Sequence, residues 1–215
     1  MDYEQEYRML KDLYHAECRE DYKKYLLKVH PKFIMGKHIK FLADKVQDFL
    51  EDRVYTDAGD IAKILVISIP PQHGKSMTIT ETLPSWYLGN NPDHRVIIAC
   101  YNTDFAKKFG RRNMRKIQEF GEEIFGITLD KERDDEFEIK GRQGACISRG
   151  ILSGITGNPA ELIIIDDPIK NREEASSQIT RDKIWGEYLG SVKTRLAADG
   201  KIILIMTRWH KRLCA

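Results

Sequence analysis

The chain has 215 residues, 41% of them hydrophobic and 32% charged, which suits a soluble globular domain with one substantial core and a small appendage. Its 35 basic and 33 acidic residues leave a formal net charge of +2, which excludes a whole-molecule field that would announce a nucleic-acid binder; any such contact must come from local patches. The widely spaced Cys18, Cys100, Cys146 and Cys214 read as reduced thiols rather than a disulfide framework, His15 and Cys18 make half a metal site at most, and neither a secretory signal nor a membrane span is present, so the chain is expected inside a cell.

From the N-terminus, Tyr7, Leu10, Leu13 and Tyr14 recur at helical spacing, as do Tyr22, Tyr25 and Leu26, which predicts one or two amphipathic helices ending at Pro31. Ile39, Phe41, Leu42, Val46, Phe49 and Leu50 repeat that period up to the turn at residues 57–60, so a helical segment over 1–58 precedes an α/β core over 59–215. Ile64 to Ile69 is a short continuous apolar run, the pattern of a strand buried on both faces. A helix over Met77 to Leu88 and a second buried strand over Arg95 to Tyr101 follow, and Asn102 or Thr103 then caps a helix reaching about Phe120. Glycine-punctuated pieces such as 136–140 and 145–148 predict antiparallel strands or a hairpin. A third buried strand ends in Asp166-Asp167, a long helix covers Ile179 to Leu196, and a fourth strand runs from Lys201 to Thr207. Apolar strands alternating with helices predict a mainly parallel central sheet with flanking helices, which binds ligands at the carboxyl ends of its strands.

The chemistry gathers at those ends. Ile69-Pro70-Pro71-Gln72-His73-Gly74-Lys75-Ser76 stands between the first strand and a helix, where backbone N–H groups and a helix terminus can hold an anion. Pro71, Gln72, His73, Gly74, Lys75 and Ser76 are therefore the candidate phosphate-binding loop, with Lys75 reaching the phosphates and the Ser76 hydroxyl a metal ligand. The usual first glycine of such loops is replaced by Ile69. Asp166 is the candidate carboxylate on the metal side, and Asp167 the one that polarises an attacking water. Thr207, closing the fourth strand, is placed to sense a terminal phosphate; Arg208, Trp209 and His210 follow it. Arg149 is the candidate for a catalytic arginine, with Arg172 behind it. Lys107, Lys108, Arg111, Arg112, Arg115 and Lys116 make the most basic helix, which is either a solvated face or a contact for DNA phosphates.

Taken together, Pro70 to Ser76, Leu162 to Lys170 and Met206 to His210, joined by Tyr101-Asn102-Thr103, Phe109 to Arg112 and Arg172 to Ala175, form a set that resembles the ATPase domain of phage large terminases, over about Lys32 to Arg212. The resemblance implies a P-loop NTPase with an additional strand between the Walker A loop and the Walker B acid, using ATP and Mg²⁺ to translocate double-stranded DNA. It implies Lys75 and Ser76 as Walker A residues, Asp166 as the Walker B acid, Asp167 as the catalytic carboxylate and Thr207 in the coupling motif. It further implies an adenine-contacting segment near Met35 to Lys40, and partners in a portal protein, a small terminase subunit and other copies in a ring. The chain is expected to be a monomer in isolation and, when working, to sit at the procapsid portal in the cytoplasm of the infected host, with no membrane contact. Two departures stand out. Gln72 occupies a place where the family often has arginine, which shifts attention to Arg149. The chain stops at Ala215, so a single ATPase domain without the family's nuclease is expected. Two other classes fit the same loop: a helicase or nucleic-acid-remodelling ATPase, and a nucleotide-binding switch or scaffold without turnover.

Overall fold

The computed structural model describes residues 2–207, apart from Thr156 and Asn158. Three helices come first, α1 (Tyr3–Glu20), α2 (Tyr22–Val29) and α3 (Lys37–Leu50), and then the strand β1 (Ile64–Ser68). After it come α4 (Lys75–Thr78), α5 (Leu83–Asn90), β2 (Arg95–Cys100) and α6 (Thr103–Phe125). The strands β3 (Leu129–Arg133), β4 (Glu136–Ile139), β5 (Ala145–Gly150) and β6 (Ala160–Asp166) precede α7 (Arg172–Ser176), α8 (Gln178–Glu187) and β7 (Leu196–Met206).

The strands form one sheet in the order β1-β7-β6-β2-β5-β4-β3, parallel from β1 to β5 and antiparallel across β5-β4-β3. In space β7 separates β1 from β6, so the strand that leads to the phosphate-type loop and the strand that ends in the acids flank a third. Period-two alternation divides the core. Leu162 and Ile164 of β6 pack with Ile203 and Ile205 of β7 under the N-terminal helices, α5 and α6. Ile163 and Ile165 face the other way with Ile202, beneath Val192, Ile184 and Tyr188. All four β6 side chains are at most 2% exposed, and each such burial stabilises by about 1.5–3 kcal/mol.

Three expectations need correction. β1 is not buried on both faces: it is one of the two edge strands among the described residues, with Ile64 and Val66 each 49% exposed. The stretch 77–88 is not one helix, because the chain leaves helical geometry between Thr78 and Leu83. The helix expected over 179–196 holds its α form to Glu187, then passes through a π-helical turn at Tyr188–Val192 and a 3-10 turn at Lys193–Arg195. Gly186, Gly190, Val192 and Thr194 are weak helix formers, and α8 has no buried residue to hold them in register. The antiparallel strands expected over 136–148 are present as β4 and β5, and β5 also pairs in parallel with β2.

Candidate active site

The loop after β1 is shaped by two left-handed residues, Gln72 (φ 62°) and Gly74 (φ 75°). Gly74 starts α4, and a Cβ there would come within 2.9 Å of Ile39 Cδ1. That position favours glycine for its left-handed backbone, while the end of the Ile39 side chain could move aside for a Cβ. The start of α3 backs the loop, with the His38 and His73 rings in an edge-to-face arrangement 5.9 Å apart. His73 also donates through Nδ1 to the Pro71 carbonyl oxygen at 2.7 Å. Pro71, Gln72 and His73 are exposed, Gly74 and Ser76 partly so, and Lys75 is buried.

Lys75 points its ammonium at the far ends of β6 and β7. It donates to both Asp167 oxygens, at 3.0 and 2.8 Å, and to Thr207 Oγ1 at 2.7 Å. Asp167 Oδ1 also accepts from the Thr207 backbone N–H at 2.8 Å. Asp167 itself is left-handed (φ 43°), a conformation in which Asp is among the better-tolerated side chains. Its own N–H donates to the Ile205 carbonyl at 2.8 Å, so β7 locks the turn that aims this carboxylate at Lys75.

Asp166, one residue earlier, is 0% exposed. Thr80 Oγ1 donates to its Oδ2 at 2.6 Å, while Oδ1 has no hydrogen-bond partner. Burial is the main cause that pushes its pKa up to about 6; the Thr80 bond opposes the rise and the charge of Asp167 adds to it. The nearby Ser76 hydroxyl also lowers that pKa. A buried carboxylate oxygen without a partner beside a hydroxyl is a hard-oxygen donor set that fits Mg²⁺. Among the described residues no group of three or more His, Cys, Asp or Glu side chains could hold a metal ion. Mg²⁺ commonly takes one or two protein ligands and completes its shell with phosphate oxygens and water.

The break after α4 is what brings Thr80 here. Thr78, Ile79, Thr80 and Thr82 are β-branched, and Pro84 has no N–H to offer the Thr80 carbonyl four residues back. Side chains satisfy the freed carbonyls instead. Tyr22 donates to Thr78 O, Asn113 Nδ2 to Thr80 O at 2.9 Å, Lys116 to Glu81 O at 2.9 Å, and Ser85 Oγ to Thr82 O at 2.7 Å. Asn113 is 0% exposed; it also accepts from the Ser85 N–H at 3.0 Å and donates to Phe109 O. Neither Thr80 nor Asn113 belongs to any motif. The signal for them is Pro84, nine residues after Lys75 in a segment otherwise patterned as helix.

Arg149 is not gathered into this cluster. It sits on β5, two strands beyond β6, and its guanidinium pairs with Asp135 on the turn between β3 and β4. Arg172 opens α7 and is exposed. Three of the six cations of the basic helix are engaged within the chain: Arg111 pairs with Asp134, Arg112 with Glu81, and Lys116 is buried. Arg208, Trp209 and His210 lie outside the described residues, as does Cys214; Cys18, Cys100 and Cys146 are buried and unpaired. No described helix is long and apolar enough to cross a membrane.

A family model described as terminase large subunit, T4-like virus type, N-terminal, matches residues 66–213, well over half of the chain. Among solved structures, the large terminase of bacteriophage HK97 is similar with a TM-score of 0.53 and 12% identity, over 81% of this chain and 33% of that one. The ATPase domain of the large terminase of Thermus phage P74-26 is similar with a TM-score of 0.52 and 17% identity, over 74% of this chain and 62% of that one. At such identities the likeness is one of fold, and the chain spans about a third of the HK97 protein's length. No curated protein matches it by sequence.

Proposed function

The chain belongs to the terminase large-subunit family of T4-like virus type, and from that premise we propose that it binds ATP with Mg²⁺ at the Lys75 cluster and hydrolyses it to move double-stranded viral DNA into a procapsid. The observation that carries this reading is the meeting of a buried loop lysine, two consecutive carboxylates and Thr207 at one end of a parallel sheet. The P74-26 neighbour is itself named an ATPase domain.

In this reading the loop from Pro71 to Ser76 holds the phosphates through backbone N–H groups, and Lys75 moves from Asp167 to the terminal phosphates. Asp167, released, accepts a hydrogen bond from the attacking water and orients it. Thr207, bonded to both Lys75 and Asp167, feels that exchange directly and carries it into β7. Ser76 and Asp166 would hold Mg²⁺, which when bound neutralises phosphate charge. The start of α3, behind the loop, is the place for the adenine.

Arg149, already paired within its own chain, is assigned to the nucleotide of a neighbouring copy in a homo-oligomeric ring. The ring stands on the portal protein, works with the small terminase subunit and acts in the host cytoplasm. An isolated chain is then a slow ATPase, by roughly the 10³ to 10⁵ that such arginines contribute. The test is Mg²⁺-dependent ATP turnover of the protein assembled with portal and DNA, beside a Lys75→Ala variant. Turnover that falls to background in the variant supports the reading; equal turnover in the two proteins sinks it.

A further inference from the structure

We propose that Thr80 is a positioning residue for Asp166, fixing the plane of that carboxylate so that Oδ1 alone is presented to the cation. The assignment rests on the ATP and Mg²⁺ reading above and names a residue outside the phosphate-type loop and the acidic strand end.

An Asp carboxylate turns easily about its last torsion, where the energy wells are broad. At Asp166 a hydrogen bond of 2.6 Å runs from Thr80 Oγ1 to Oδ2, and both residues are 0% exposed. Water does not compete for the bond, and a hydrogen bond to a buried charged group is among the stronger ones. With Oδ2 occupied, the partnerless Oδ1 is the oxygen left for a ligand.

Thr80 is itself held from two sides. Its β-branched side chain has few rotamers, and its carbonyl accepts from Asn113, itself held by Phe109 O of α6 and the Ser85 N–H of α5. The break in the helix is necessary for this. In a continuous helix a threonine hydroxyl bonds the carbonyl four residues back, which here is Ser76 O; that carbonyl is instead taken by the Glu81 N–H at 2.8 Å. The broken turn thus turns the Thr80 hydroxyl from its own backbone toward the acid of β6. A valine fills nearly the same volume but lacks the donor, and would leave the buried Asp166 Oδ2 without its partner.

The test compares wild type, Thr80→Val and Thr80→Ser by calorimetric titration of a non-hydrolysable ATP analogue, with Mg²⁺ and with the cation chelated. The expected result in Thr80→Val is a Mg²⁺-dependent gain in affinity that falls about tenfold, with the Mg²⁺-free affinity within about twofold of wild type; Thr80→Ser, which keeps the donor, restores the gain. Should Thr80→Val fail to fold, Thr80→Ala is read by the same titration. A hydroxyl-free variant with the full Mg²⁺ gain, or a serine variant as impaired as the valine one, overturns the assignment. Wild-type protein that binds no analogue at all would instead overturn the nucleotide-site reading and the assignment with it, a result distinct from either.

Discussion

Lys75 and Asp167 hold each other at 2.8 Å, with Thr207 as the third member. A phosphate entering the loop competes with a carboxylate for one ammonium group, so the residue assigned to activate water also opposes binding. Asp167→Asn removes the negative charge and keeps the shape. We therefore expect it to bind an ATP analogue more tightly than wild type while turnover falls by about 10² or more. Analogue titration and steady-state turnover on the same preparation check this; weaker binding in the variant would contradict it. Lys75, Asp166, Asp167 and Thr207 were legible because each ends an apolar run or stands in a loop with a known use, and the sheet carries such ends to one place. Thr80 and Asn113 were not legible, because their roles arise only where a helix fails and a neighbouring helix makes good its carbonyls.

That break in the helix shows local chemistry overriding apolar periodicity. Apolar periodicity over 77–88 reads as one helix, but β-branched residues and Pro84 interrupt it, and α2 and α6 supply donors to the buried turn. Lys116 is one of them, and the residue is 8% exposed. Burial is the main cause that pushes its pKa down to about 8 from 10.5, with Glu81 opposing and Arg112 adding. Between those two values the unfolded chain binds a proton that the folded chain does not, so stability rises with pH across that window. Below pH 8 the buried charge costs on the order of 3 kcal/mol. Denaturant unfolding of wild type and Lys116→Met at pH 7 to 10.5 should show the difference moving in favour of wild type as pH rises; a flat difference would contradict this origin. The exposed face of β1 has the same kind of cause. A continuous apolar run fixes the strand but says nothing of its rank in the sheet, and here β1 lies at the edge of the described residues.

For the whole molecule, the sheet order decides which candidates can meet. With β7 between β1 and β6, Lys75 reaches Asp167 and Thr207 together. Arg149 on β5 stands about 10 Å beyond the acids, counted as two strand spacings, and is bound to Asp135. The α/β class and the helical N-terminal third could be read from periodicity, whereas strand order could not, because parallel strands are joined by long crossovers that local sequence leaves open. The central claim is that the end of this sheet is a nucleotide site built on Lys75, Asp166 and Asp167. A crystal structure of the protein with a non-hydrolysable ATP analogue and Mg²⁺ tests it most directly. We expect the phosphates on the loop at Gly74 to Ser76, Lys75 moved from Asp167 to the terminal phosphate, Mg²⁺ at Ser76 and Asp166, and Arg149 of the same chain clear of the nucleotide. An analogue bound elsewhere, or one bound at the loop with Lys75 still paired to Asp167, would contradict the claim.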